Sequence, residues 1–229
     1  EVMRVTHEFI DNFKESDLII NLMSYGNMHH QTDDDEIFKA NLTLLFELLK
    51  KKYDYFINFS SSSVTLPKQT LYSATKLAGE ALIKLYGGIS IRPYTTIGVG
   101  EQKEHLIPTL IRSCLYGEEM PFVGAPTHDF VDVEDLVDVI ERLIEYLPLY
   151  KGEIIPIGTG VPCSNRQVKG IVEGITGKKA NVKKVESLRS YDIQNWAADT
   201  TIIKKLNCMP KKTLRDTIVG MYLYESYNT

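Results

Sequence analysis

Residues 60–76 read SSSSVTLPKQTLYSATK, and three side-chain types in that stretch can move protons. Tyr72 and Lys76 are spaced so that a helix would put them on one face, one turn apart. A free tyrosine phenol ionises at about pH 10, too high for a base at neutral pH. A lysine cation one turn away favours the phenolate and lowers that value. A serine hydroxyl in reach of the same substrate oxygen can donate a hydrogen bond to it. Together the three can move a proton while another group moves a hydride. Each piece also has a bland reading. Four serines and a proline make a loop, and a single Tyr-x-x-x-Lys pair suits a solvated helix face.

The flanking elements separate these readings. Asp17-Leu18-Ile19-Ile20-Asn21-Leu22 is a short apolar run that reads as a buried strand. Residues 34–51 carry Ile37, Phe38, Asn41, Leu42, Leu45, Phe46, Leu48 and Leu49 at helical spacing. Tyr55–Phe59 reads as a strand, residues 71–86 as a helix with Ala74, Leu77, Ala78, Ala81, Leu82 and Leu85, and Gly88–Pro93 as the next strand. This alternation implies βαβ crossovers and a parallel sheet. Ligands bind at the carboxyl ends of such strands, which is where the serines fall. The joint arrangement therefore favours an active site over a linker.

After Pro93, glycines and prolines interrupt the chain around one helical segment at 105–116. A helix is expected at 133–147, and Ile154-Ile155-Pro156-Ile157 reads as an edge strand because of its proline. Ser164 and Gln167 form a capping box that opens a helix ending at Gly177. Helical stretches at about 199–207 and 213–226 follow. The expected division is a first domain of residues 1–98 with about 130–157, and a second region of 99–129 with 158–229.

With 229 residues, 43% hydrophobic and 24% charged, the chain can bury a substantial core. A net charge of -4 argues against a nucleic-acid binder that works by broad phosphate neutralisation. No apolar run approaches the roughly 20 residues needed to span a bilayer, and no signal peptide is read in the first residues. Cys114, Cys163 and Cys208, odd in number and far apart, read as reduced packing residues, so a cytoplasmic location is expected. His29-His30 with Asp33–Glu36 reads as a polar loop and an acidic helix start, so no metal is expected. The lysines at 178, 179, 183 and 184 read as a solvated face. Trp196 is either packing or a surface for stacking on a base.

In this order the segments resemble the NAD-dependent epimerase/dehydratase family, the extended short-chain dehydrogenase/reductases that act on nucleotide sugars. Asp17–Leu22 is similar to the family's Asp-x-Val-Ile-His-Leu-Ala strand, with Asn21 where histidine is common. Phe56–Val64 resembles Phe-Ile-Tyr-Ile-Ser-Ser-Ser-Ser-Val, and Tyr72–Glu80 resembles Tyr-Gly-x-Ser-Lys-x-x-x-Glu. Ile91–Gly98 looks like Leu-Arg-x-x-Asn-Val-Tyr-Gly with Thr95 for the asparagine. His128–Asp135 looks like Arg-Asp-Phe-Val-x-Val-x-Asp with His128 for the arginine. Leu188–Asp192, then Ala198-Asp199, looks like Arg-x-x-Asp…Ala-Asp and makes Arg189 a phosphate clamp.

The resemblance implies a Rossmann-like parallel sheet flanked by helices, with a smaller mixed α/β carboxyl-terminal substrate region. It implies NAD or NADP and a nucleoside-diphosphate sugar. Catalysis would rest on Ser61, or Ser62 if the register slips by one, with Tyr72 as general acid/base and Lys76 on the nicotinamide ribose. Leu22, Met23, Ser24, Asn41, Ser60, Tyr72, Lys76 and Pro93 would meet the cofactor. Ser62, Thr95, His128 and Arg189 would meet the substrate. Family members dimerise through the helices matching 34–51 and 71–86, which implies a homodimer. The acidic pair that follows the catalytic serine in the family's 4,6-dehydratases is Ser62-Ser63 here, so an epimerase or reductase is expected. The gap from Ser61 to Tyr72 is also short for the family. No Gly-x-x-Gly-x-x-Gly turn occurs before residue 98, and the match starts after the family's first βαβ portion. That places a non-catalytic relative, a binding or regulatory module without the cofactor phosphate loop, as the competing class.

Overall fold

The computed structural model describes residues 10, 15–28, 30–186 and 196–227. Its strands are β1 (Glu15–Asn21), β2 (Lys52–Phe59), β3 (Ile89–Pro93), β4 (Thr95–Ile97), β5 (Met120–Phe122), β6 (Thr127–Asp132), β7 (Ile154–Ile157), β8 (Pro162–Ser164) and β9 (Val182–Lys184). The helices in the first half are α1 (Asp34–Phe38), α2 (Leu44–Leu49) and α3 (Leu71–Leu85). Those in the second half are α4 (Leu106–Tyr116), α5 (Val133–Ile144), α6 (Asn165–Thr176), α7 (Thr201–Lys205) and α8 (Leu214–Tyr227). The chain divides into two compact units, Glu1–Pro93 with Ile144–Pro156, and Tyr94–Leu143 with Ile157–Thr229. These limits fall at other residues than those read from the sequence.

The first unit is built on the strand order β1-β2-β3-β7, with β1–β2 and β2–β3 parallel. Pro156 lies in the end strand β7, where a residue without an N–H interrupts no inner ladder. In β1 the burial alternates at the end: Ile19 and Asn21 are inside, while Ile20 and Leu22 are exposed. The strand expected to be buried is therefore one-sided there. Ile10, Ile19, Leu45, Leu48, Leu49, Phe56 and Ile83 form the apolar core of this unit.

Two helical expectations change. The single helix read over 34–51 is α1 and α2 joined by a π-helical turn at Lys39–Thr43. Helix α3 starts at a capping box, Thr70 with Ser73, but turns the apolar stripe read from its sequence outward. Leu77 is 44% and Leu85 79% exposed, whereas Thr75, Lys76, Gly79, Glu80 and Ile83 face in. A Cβ on Gly79 would come 3.2 Å from Leu45 and 3.9 Å from Asn58, so α3 lies close over this part of the core. The inner face of α3 is thus largely polar.

In the second unit, β4 pairs parallel to β6, β8 pairs antiparallel to β6, and β5 and β9 form a parallel pair. Helices α4, α6 and α8 supply Ile107, Leu110, Ile111, Val168, Val172, Ile218 and Met221 to its core. The capping box of Ser164 and Gln167 opens α6, and Gly177 closes it at φ 67°. Helix α5 ends at Ile144, earlier than read, and a 3₁₀ turn at Leu147–Tyr150 follows, where Pro148 cannot continue an α-helical ladder. Among the described residues no helix is long and apolar enough to cross a membrane. Nor could any cluster of three His, Cys, Asp or Glu among them hold a metal ion.

Candidate active site

Lys76 is 3% exposed, deep for an ammonium, and lies on the inner face of α3. Its Nζ donates to the carbonyl oxygens of Met23 and Phe59, 3.0 Å to each. Both carbonyls come from the points where the chain leaves a parallel strand, Phe59 from β2 and Met23 just past β1. Burial pushes the Lys76 pKa down to about 8, so the group is largely charged at neutral pH and loses its proton just above it. An ammonium has three N–H donors, and two are accounted for. The half-buried Tyr72 sits one turn earlier, with Lys76 Nζ 5.9 Å from its ring centroid.

The serines occupy the other side of this strand end. Ser60 donates its N–H to Ile91 O at 2.8 Å, while its Oγ is buried without a partner. Ser61 caps a 3₁₀ turn over Ser62–Thr65. Its Oγ accepts from Ser63 N at 3.1 Å and lies 2.9 Å from Ser63 Oγ. Ser62 is 4% exposed. Ser61 and Ser62 thus differ in duty: one hydroxyl terminates a turn, the other is enclosed.

The residues expected to meet a cofactor divide further. Leu22 is 64% exposed and Ser24 is exposed. Pro93 closes β3 and is half-buried. Asn41, in the π-helical turn, spends its amide inside the protein. Its Oδ1 accepts from Tyr25 N at 3.2 Å, and its Nδ2 donates to Tyr25 O at 2.9 Å and Thr75 Oγ1 at 3.0 Å. It fixes the chain after β1 against the residue next to Lys76. Two residues not singled out as site residues, Asn21 and Asn58, are buried beside this cage. Asn21 Nδ2 donates to Asn58 Oδ1 at 2.8 Å, and Asn21 Oδ1 accepts from Met23 N at 3.1 Å. An asparagine inside the apolar run Tyr55–Phe59 was the available signal.

In the second unit Thr95 Oγ1 and His128 Nδ1 lie 3.5 Å apart. The His128 ring packs 5.5 Å from Trp196, which in turn is 6.0 Å from Tyr94. Next to His128, Asp129 is fully buried and accepts from Thr159 N, Thr159 Oγ1, Gly160 N and Ala198 N at 2.6–2.9 Å. A cavity of about 330 Å³ in this unit is lined by Gly98, Val99, Lys212, Thr217 and Gly220, among others. Its Lys212 is engaged by Asp132 and Glu134. Arg189 lies outside the described residues.

Residues 3–158 match the model of the NAD dependent epimerase/dehydratase family. The chain belongs to that family. It is 28% identical over 174 residues to GDP-6-deoxy-D-talose 4-dehydrogenase of Aggregatibacter actinomycetemcomitans, covering 73% of this chain and 58% of that protein's length. It is 26% identical over 223 residues to the uncharacterized UDP-glucose epimerase YtcB of Bacillus subtilis (strain 168), covering 89% of this chain and 70% of that one. Among solved structures, MoeE5 in complex with UDP-glucose and NAD superposes with a TM-score of 0.87 at 22% identity, over 99% of this chain and 85% of that one. UDP-glucuronic acid 4-epimerase from Bacillus cereus gives 0.84 at 22% identity, over 97% and 78%. The likeness to these structures establishes the Rossmann-like fold.

Proposed function

We propose that the protein is an NAD- or NADP-dependent epimerase or reductase acting on a nucleoside-diphosphate sugar. The observation that carries this is the seat of Lys76. A buried ammonium held by two backbone carbonyls at the carboxyl ends of parallel strands keeps one N–H to offer, beside a half-buried tyrosine. A ribose hydroxyl is a natural acceptor for that donor, and the orphan Ser60 Oγ is a second unfilled hydrogen-bonding group nearby in the chain. The residues present therefore fit the nicotinamide-ribose end of a dinucleotide. The relatives named above, a GDP-sugar dehydrogenase and a UDP-glucose epimerase by name, support the substrate class.

In this reading the dinucleotide supplies the hydride acceptor and donor. Tyr72 takes a proton from a sugar hydroxyl, or returns one, through its phenolic oxygen. Lys76 puts a positive charge one helical turn away, so negative charge developing on that oxygen faces a cation. Ser61, or Ser62 beside it, is proposed to donate a hydrogen bond to the reacting oxygen; accepting the cap bond from Ser63 N leaves the Ser61 O–H available as a donor. Ser62 and Ser63 offer no carboxyl group for expelling water from the sugar, which favours epimerisation or reduction over dehydration. Thr95 and His128 are proposed to meet the substrate.

The test is direct. The protein is expected to bind NAD or NADP, and Tyr72→Phe is expected to keep that binding while losing about 10²–10⁴-fold in turnover with nucleotide sugars. No dinucleotide binding at millimolar cofactor would favour the non-catalytic relative instead. Unchanged turnover in Tyr72→Phe would remove the tyrosine from its role.

A further inference from the structure

We propose that Asn21 and Asn58 are positioning residues for Lys76, acting through the Met23 and Phe59 carbonyls that hold its ammonium. The inference rests on reading Lys76 as the lysine that serves cofactor and tyrosine. Asn21 and Asn58 face each other in the register of β1 and β2, at 4% and 2% exposure. Their side chains join by the 2.8 Å bond from Asn21 Nδ2 to Asn58 Oδ1. From this pair two short paths reach Lys76. Asn21 Oδ1 takes the N–H of Met23, whose carbonyl takes one proton of Lys76. Asn58 is the residue before Phe59, whose carbonyl takes the other.

A parallel sheet between two helical layers is normally filled at such positions by valine, isoleucine or leucine. Two buried amides replace apolar packing and cost free energy unless hydrogen-bonded. Here they tie the ends of two strands together at the level where each strand gives up a carbonyl to the same cation. Without that tie, Met23 N loses its acceptor, and the next side-chain bonds that fix the segment are those of Asn41 to Tyr25 and of Gln31 to Gly26 and Met28. The aim of the lysine is thus set by a relay of amides.

The relay also keeps formal charge away from the cation. The other titratable groups on α3 near Lys76 are Tyr72 and Glu80, and Glu80 is taken bidentately by Arg92 of β3 at 2.6 Å on each arm. From β1, β2, the segment after β1 and the Lys39–Thr43 turn, the linked side chains are Asn21, Asn58 and Asn41, none of which titrates; Tyr25 enters through its backbone. Burial is the cause that acts on the Lys76 pKa, with no carboxylate contributing.

The experiment follows the ε-carbon resonance of Lys76 through a pH titration of the full chain labelled with ¹³C-lysine, with no cofactor added. Asn58→Leu is near-isosteric and uncharged, and it removes the acceptor for Asn21 Nδ2. Its Lys76 midpoint is expected to fall by about half a pH unit as the two strand ends loosen. Asn21→Ala removes the acceptor for Met23 N, loosens that carbonyl, and is expected to lower the midpoint. A role confined to packing would lower the urea midpoint of both variants and leave the lysine titration where it was, which would overturn the proposal. If Asn21→Ala does not fold, the uncharged Asn58→Leu decides alone. Movement of the Lys76 midpoint in a protein that binds no dinucleotide keeps the relay and sinks the enzyme reading. Turnover that depends on Tyr72, with unmoved Lys76 midpoints, does the reverse.

Discussion

The two units bury charge in opposite ways. In the first, Lys76 is enclosed with two carbonyl dipoles and no counter-ion. In the second, Asp129 is enclosed by four donors, three of them backbone N–H groups, and Asp135 accepts from the N–H groups of Lys211 and Lys212. With four donors on its two oxygens, Asp129 holds loops in place and has nothing left to offer a ligand. An ammonium short of one acceptor is strained in the thermodynamic sense, and that shortfall is what a ligand can fill. Buried charge is therefore fully answered in one unit, while in the other it keeps a donor to spare, on which the proposed function rests. The first unit itself holds a control: Glu80, equally buried, is answered fully by Arg92.

The sharpest way to break this contrast is Asp129→Asn. One oxygen that faces two donors becomes an NH₂ group, so the change is expected to cost about 3 kcal/mol in urea unfolding while the Lys76 titration stays put. A loss below about 1 kcal/mol would mean that the four bonds are replaceable. Next comes the stability of the unaltered chain against pH. The folded Lys76 pKa of about 8 lies below the value of about 10.4 for an unfolded lysine. The unfolded state then holds the extra proton between those limits, so stability rises with pH through that window. Relative to Lys76→Met, which removes this titration, the gain from pH 7 to pH 9.5 is expected to be about 2 kcal/mol. Parallel curves for the two proteins would show that the charge is not buried at a cost. Smallest is Thr159→Val, which removes one donor from Asp129 and is expected to cost about 1.5 kcal/mol, measured in the same unfolding assay.

Much of this was legible from residue order. The alternation of β1, α2, β2, α3 and β3, the edge character of Pro156 and the capping box at Ser164 follow from local rules that need no knowledge of neighbours. Tyr72 and Lys76 were legible because helical spacing alone puts them together. What escaped depends on register and on competition between faces. The meeting of Asn21 with Asn58 requires the pairing of two strands far apart in sequence, which no window over either strand contains. The inward face of α3 escaped for a related reason. Leu77, Ala78, Ala81 and Leu85 make the better apolar stripe, yet the helix buries Thr75, Lys76 and Glu80 because the groups waiting below are carbonyls, amides and Arg92. Ser61 and Ser62 could not be told apart within a serine run, because which of them caps a 3₁₀ turn depends on where the chain leaves β2.

The π-helical turn at Lys39–Thr43 gives the helix a sensitivity of a different kind. Such a turn behaves as one residue added to an α-helix, and each residue carries about 100° of rotation. Upstream, Ile37 meets the core; downstream, Leu45, Leu48 and Leu49 do; between them the extra residue brings Asn41 round to Tyr25 and Thr75. Excising a single residue from 39–43 would regularise the coil and leave the two ends in phase, but it would take away the turn that carries Asn41 to Tyr25 and Thr75. Homologous chains should consequently tolerate many exchanges in this segment while keeping its length constant.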